Sequence, residues 1–179
     1  MKLVSVKRLV GLSIIAVLGA CALSAIAASS ATSDISQIKS ELHLEDVAGD
    51  IGDAYGSCRY EFPNHIDVDE QGKLICSSKA DDIENAKIAF TDTRARHIVT
   101  TVERIAFSRG IAVVLEDQSA ILTGVSGGEM RSVKLDAIAK TFWKKDKAGR
   151  WLEWKSRLLS TTSSPLAMPS LNSADVQKA

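Results

Sequence analysis

Gly124-Val125-Ser126-Gly127-Gly128 has the G-x-S-x-G spacing that lifts a serine hydroxyl out of a sharp turn for attack on a carbonyl. Ser126 would need a histidine to take its proton and an acid to orient that histidine. His43, His65 and His97 all precede the serine, the reverse of the α/β-hydrolase order, and Val125 stands where a trypsin-like protease has its acid. A glycine loop between strands explains the same residues without chemistry. Asp67-Val68-Asp69-Glu70-Gln71-Gly72 imitates the start of a calcium loop, but the twelfth position is Ser78 where a bidentate glutamate is required. A solvated hairpin tip is the simpler reading. His65 and His97 each lack a second ligand at helical or strand spacing, so nothing in the pattern supports zinc, another metal or an organic cofactor.

Trp143, Trp151 and Trp154 are interleaved with Lys144, Lys145, Lys147, Arg150, Lys155 and Arg157. Aromatics among bases can stack on sugars or sit at a headgroup layer, but tryptophans flanking a hairpin more commonly pack in the core and across strands. If this basic face functions, its binding residues are Trp143, Lys144, Lys145, Lys147, Arg150 and Trp151. Its expected partner is then an envelope protein or an anionic envelope polymer.

That expectation of an envelope rests on the first residues. Lys2, Lys7 and Arg8 precede an uncharged run, Leu9 to Ala28, which ends in small residues, the layout of an export signal. Ala25-Ile26-Ala27 offers a signal-peptidase site, so residues 1–27 read as a signal peptide. Leu18-Gly19-Ala20-Cys21 also offers a lipobox with Cys21 lipidated, although the residues after it stay apolar where a lipoprotein continues with a polar tether, and an uncleaved leader would anchor the chain. The membrane is expected to be met only through this leader or a lipid anchor, with the domain periplasmic or secreted. Without the leader the chain has 19 basic and 22 acidic residues, and nucleic acid is a poor partner for such an exported protein. The acids concentrate in residues 28–92, with 14 against 5 bases, and the bases in residues 131–157, with 9 against 3 acids. Cys58 and Cys76, an even pair in an oxidising compartment, bracket turn chemistry, and a disulfide between them would contribute about 3 kcal/mol.

Residues 33–160 read as a single α+β domain. Asp34 and Gln37 could cap a helix whose face is Ile35, Ile38 and Leu42, ended by Gly49 and Gly52. Asp46 to Gly56 reads as a loop and residues 80–92 as a short helix. Residues 94–107 fit strand or helix. Ile111–Leu115 and Ala120–Thr123 read as strands, Gly124 to Gly128 as a loop. Val133–Lys144 and Trp151–Leu159 form a hairpin, whose second strand puts Leu152, Trp154 and Leu158 inside and Glu153, Lys155 and Arg157 outside. Residues 161–179 read as a disordered tail.

Glu103-Arg104-Ile105 to Gly124, followed by Asp136 to Ser160 with Phe142-Trp143 and the turn ending Gly149-Arg150-Trp151, resembles the C-terminal half of the ketosteroid-isomerase-like (SnoaL-like) superfamily of cone-shaped α+β domains. The resemblance spans residues 103–160 and implies an N-terminal helix packed on a curved antiparallel sheet. The cysteine-bracketed hairpin departs from that pattern, and no catalytic acid carries over. Members include isomerases, ligand binders and exported domains without activity. The pattern therefore favours an exported, non-enzymatic binding or assembly module. The alternative is a small-ligand pocket protein or isomerase-type enzyme, with His97 or Asp136 as its titrating group.

Overall fold

Residues 93–166 are dense in valine, isoleucine, threonine and aromatics, which suit a pleated, half-buried surface. In the computed structural model of the chain, which describes residues 31–126 and 129–166, they form four long strands. Helix α1 covers residues 31–51, α2 Ala54–Ser57 and α3 Lys79–Thr91. The strands are β1 Glu61–Val68, β2 Leu74–Cys76, β3 Thr93–Ser108, β4 Ile111–Ser126, β5 Glu129–Lys145 and β6 Trp151–Leu166. They build one open, curved six-stranded sheet in the order β2-β1-β6-β5-β4-β3. The fold is α+β, as expected, but the sheet is mixed, because β1 lies parallel to β6. The chain divides into two compact units, Met1–Ile38 and Lys39–Ala179. The first is helical over its described residues 31–38; the second contains the rest of α1 and every strand.

Two turns explain how such long strands stay in register. Arg109 and Gly110, both at positive φ, connect Ser108 to Ile111 as the two-residue hairpin that matches strand twist. Asp146 holds the β5–β6 turn by accepting from the Ala148 and Arg150 amides and from the Arg150 guanidinium.

Several expectations change. Asp46 to Gly56 is not a loop: α1 runs to residue 51, Gly52 at φ +76° closes it, and Asp53 caps α2 by accepting from Tyr55 and Gly56 amides. Residues 94–107 are strand throughout. The sequence hides this because a register shift between Val102 and Arg104 breaks the alternation. Ile111 to Ser126 is one strand, because the polar stretch through Glu116 and Gln118 continues the pairing instead of interrupting it. Gly124 and Ser126 therefore belong to a strand end, not a loop; Gly127 and Gly128 lie outside the described residues. β6 continues to Leu166 against β5, six residues into the expected tail. The faces of β6 are inverted at its start but not at Arg157, exposed, and Leu158, half-buried. Trp151 and Glu153 are buried at 3% and 9% exposure while Leu152 and Trp154 are half-buried. The leader with Cys21 and residues 167–179 also lie outside the described residues.

The carboxy-terminal part of α1 is tied to the edge strand β3. Asp46 accepts from the Thr100 amide and hydroxyl, both at 2.7 Å, Asp50 accepts from the Ile98 amide, and Arg96 donates to the Gly49 carbonyl at 3.1 Å. These bonds satisfy backbone donors that an edge strand would otherwise leave open.

Candidate active site

On the inner face of the sheet, cross-strand neighbours line up polar groups where a core would have apolar ones. Thr100 on β3 lies opposite Gln118 on β4. Glu116 on β4 pairs with Ala139 on β5, two residues from Thr141. Across the irregularity at Phe142/Trp143, Trp143 on β5 meets Glu153 on β6, which meets Glu61 on β1. Thr100, Gln118, Glu116, Thr141, Glu153 and Glu61, with Glu45, His65, Asp67 and Ser156, line a cavity of about 280 Å³. Apolar lining comes from Leu42, Phe90 and Ile98.

His65, 2% exposed, is the hub of one wall. Its Nδ1 lies 2.8 Å from Asp82 Oδ2 and its Nε2 3.0 Å from Glu153 Oε1. Glu61 Oε2 stands 3.6 Å from Nδ1 and Asp67 Oδ1 3.5 Å from Nε2. Burial opposes charge on the ring, but hydrogen bonds to Asp82 and Glu153 and the surrounding carboxylates outweigh it and push His65 up to about 11. At neutral pH it is an imidazolium with both N–H groups donated, not the base that takes a proton from a bound molecule. Burial raises Glu61 to about 8, against the pull of His65, and Glu153 likewise to about 8. It raises Asp67 to about 6. Burial also works on Asp82, but hydrogen bonds from His65 and Cys76 hold that carboxyl below its ordinary range.

The other wall is Glu116, with no exposed surface. Thr141 Oγ1 donates to its Oε1, Gln118 Nε2 donates to its Oε2 at 3.1 Å, and Trp143 Nε1 donates to Thr141 Oγ1 at 2.8 Å. Burial lifts Glu116 to about 7, against the pull of those two donors. A carboxyl that exchanges its proton near neutrality, inside a cavity, is the requirement for a general acid or base. Glu45 completes the rim. Burial pushes it well above the ordinary range although the Tyr60 amide donates to it at 3.1 Å.

Most residues singled out from sequence lie elsewhere. His97 is exposed beside Asp50, and Asp136 pairs with Lys134 at 2.8 Å; neither lines the cavity. Trp143 and Trp151 are core residues at 0% and 3% exposure, so the basic hairpin presents Lys145, Lys147 and Arg150 without them. Lys144 lies over the Phe62 and Trp154 rings, and Lys145 over Trp151. Cys58 and Cys76 are buried thiols, each pushed up to about 12 by burial. Asn85 Nδ2 donates to Cys76 Sγ at 3.0 Å. Of the imitation calcium loop, Asp69 holds the β1–β2 turn by accepting from the Lys73 amide, with Gly72 at φ +82°. Asp67 turns instead toward His65. Sequence reading set His65 aside as a lone histidine and missed Glu116 and Glu153. The signal lay in single polar residues on inward-facing positions: Glu116 and Gln118 on one face of β4, and Thr141 between the apolar Ala139 and Trp143 of β5.

No family model and no curated relative matches the sequence. Solved structures match the fold. A scytalone dehydratase candidate from Novosphingobium aromaticivorans superposes with a TM-score of 0.68 at 12% identity, covering 79% of this chain and 93% of that one. A type 2 hexachlorocyclohexane dehydrochlorinase (LinA) gives 0.59 at 14% identity, covering 79% and 95%. A ketosteroid isomerase-like protein from Erwinia carotovora atroseptica gives 0.56 at 11% identity, covering 75% and 98%. At these identities the likeness is one of fold. It agrees with the resemblance carried by residues 103–160 and with the curved α+β sheet.

Proposed function

We propose that this chain binds a small polar molecule in the carboxylate-lined cavity and moves a proton on it, with Glu116 as the general base. The observation that carries this reading is Glu116 itself: fully buried, facing a cavity, and held by Thr141 and Gln118. No packing need places a carboxyl on the inner face of a strand paired on both sides, where burial without function is costly. The lining of Glu45, Asp46, Glu61, Asp67 and Glu153 selects a ligand rich in hydroxyl or other donor groups. Neighbours of the same fold are named as a dehydratase candidate, a dehydrochlorinase and an isomerase-like protein. Eliminations and isomerisations of that sort begin with removal of a proton, which one carboxylate of suitable pKa can perform.

The test uses a panel of small hydroxylated ketones and lactones in deuterated buffer, with proton NMR following loss of C–H signal. The rate is expected to rise with pH through about 7 as Glu116 loses its proton, and Glu116→Gln to lower it by roughly 10²–10⁴-fold. A Glu116→Gln protein that exchanges at the wild-type rate removes the assignment.

Residues 1–27 support placing this activity outside the cytoplasm. Intact mass of the envelope fraction distinguishes cleavage after Ala27, acylation at Cys21 and no processing; a further loss of about two mass units reports a Cys58–Cys76 bridge. An exported module that binds an acidic envelope partner through Lys144, Lys145 and Lys147 predicts salt-sensitive association, lost when those charges are reversed. Two of that face's six residues, Trp143 and Trp151, are buried, so the cavity carries the better-supported reading.

A further inference from the structure

The His65 wall gathers more carboxyl groups than the two N–H donors of one imidazole can serve. Four carboxylates, from Glu61, Asp67, Asp82 and Glu153, approach its two ring nitrogens within 3.6 Å. Two of the facing oxygens, Glu61 Oε2 and Asp67 Oδ1, are buried and have no hydrogen-bond partner among the described residues. A buried carboxylate oxygen with nothing to accept from is a costly arrangement unless a ligand completes it.

We propose that Asp67, His65 and Glu153 form a binding site for a divalent transition-metal ion such as Zn²⁺, open on its remaining side to the cavity. Three observations fix the choice. First, His65 Nε2 is 3.0 Å from Glu153 Oε1 and 3.5 Å from Asp67 Oδ1, and the three atoms all lie within 4.8 Å of one another. Ligands bonded at about 2.0–2.2 Å to one ion lie about 3.0–3.4 Å apart at octahedral or tetrahedral angles, so small side-chain movements close the set. Second, the opposite nitrogen, Nδ1, donates to Asp82 at 2.8 Å, the outer carboxylate that orients a metal-bound histidine and fixes its tautomer. Third, His65, Asp67 and Glu153 all line the cavity and Asp82 does not, so an ion on Nε2 keeps a coordination position open to a bound molecule whereas one on Nδ1 would not.

One imidazole nitrogen with two carboxylates suits zinc or manganese better than calcium, which takes six or more oxygens. In the ion-free chain a proton on Nε2 occupies the place of the cation; binding sends that proton, and the one the Glu153 carboxyl holds, to solvent. The site goes beyond the proton-transfer reading and does not rest on it, because Glu116 is not among the ligands.

The experiment takes the full chain, strips it with a chelator and dialyses it separately against Zn²⁺ and Mn²⁺. Metal content is measured by mass spectrometry and affinity by calorimetry. One Zn²⁺ per chain is expected, with affinity falling at least tenfold in Asp67→Asn and in Glu153→Gln. Asp82→Asn should fall by roughly 10–100-fold, as outer-sphere partners of metal-bound histidines do. Asp69→Asn, at the hairpin tip beside Asp67, should bind as wild type; loss there would assign binding to the surface loop and overturn the proposal. Circular dichroism of each variant separates lost binding from lost folding, and Co²⁺ absorption on wild type reports nitrogen ligation without any substitution. Less than a tenth of an ion per wild-type chain, or Asp67→Asn folded with undiminished affinity, also overturns it. Proton exchange lost in Glu116→Gln while zinc binding is unchanged would support both readings; exchange unaffected in that variant would remove the first and leave this one.

Discussion

His65 joins three segments of chain that share no local pattern. Its partners lie 17 residues away at Asp82 and 88 away at Glu153, on a helix and on the strand parallel to its own. No spacing rule run along the sequence could pair them, because the pairing is created by the crossover that sets β1 beside β6. What the sequence did show was an excess of acids in residues 28–92, and three of those acids, Glu61, Asp67 and Asp82, gather around the ring. The energetic consequence is specific. Removing the ring leaves Asp82 and Glu153 facing each other without a cation, so His65→Ala should lose about 3–5 kcal/mol. Glu153→Gln keeps a hydrogen-bond acceptor for Nε2 and removes a charge that burial disfavours, so its loss should be less than half as large. Urea unfolding of the two variants gives the comparison directly. Equal losses would mean that the charge on Glu153, not the ring and its hydrogen-bond geometry, holds this wall.

At the level of elements, what was legible in the sequence was whatever repeats with a strict period. Helix α3, with Ser78 accepting from the Asp81 amide and acids in its first turn, matched its local signals, as did the β5–β6 hairpin. The period fails where the ladder shifts. The irregularities at Val102/Arg104 in β3 and at Phe142/Trp143 between β5 and β6 each change which residues face inward. Glu153 consequently points into the protein although its neighbours in sequence suggested the reverse. Glycine was misread for a related reason. Gly124 sits in β4 not for a turn but because a side chain there would run into the carbonyl oxygen of Asp92, the residue that joins α3 to β3. Gly72, by contrast, has open space around it and φ +82°. The two should therefore respond to different replacements. Gly72→Asn should cost less than about 1 kcal/mol, since asparagine visits the left-handed region. Gly124→Asn should cost about 1–3 kcal/mol, as Gly124→Ala does, because the obstacle is steric. Thermal melts of the three variants decide it, and a Gly124→Ala protein as stable as wild type would mean that the β3 terminus moves aside freely.

Across the whole molecule, the acid-rich first half and base-rich second half do not simply neutralise each other over the surface; part of the acidic excess is carried inside. Folding therefore takes up protons. Glu61 and Glu153 move from an ordinary 4.5 to about 8, Glu116 from 4.5 to about 7 and Asp67 from 3.8 to about 6, each chiefly through burial. His65 moves from 6.5 to about 11, where hydrogen bonds to carboxylates override burial. In every case the native chain holds a proton over a range where the unfolded chain has lost it. Stability changes with pH as protons bound unfolded minus protons bound native, so the slope is negative. For the carboxyls the loss begins near 4.5 and is complete by about 8; for His65 the stabilisation is full below 6.5 and drains away toward 11. Asp82, held low, acts with the opposite sign, but only beneath its ordinary 3.8. The melting temperature is therefore expected to be highest near pH 5 and to fall steadily to pH 8, the opposite of a protein whose carboxylates are all paired and ionised. Glu153→Gln and Glu116→Gln each remove one titrating group and should flatten that fall, and the double variant should flatten it further. Saturating zinc should flatten it too if the ion sits on Nε2 and Glu153, because the metal-bound native state then keeps neither the His65 nor the Glu153 proton. A melting temperature that rises between pH 5 and 8 in the metal-free chain would show that the inward-facing carboxyls are ionised and solvated, and with that the cavity could not hold Glu116 as a base of neutral pKa.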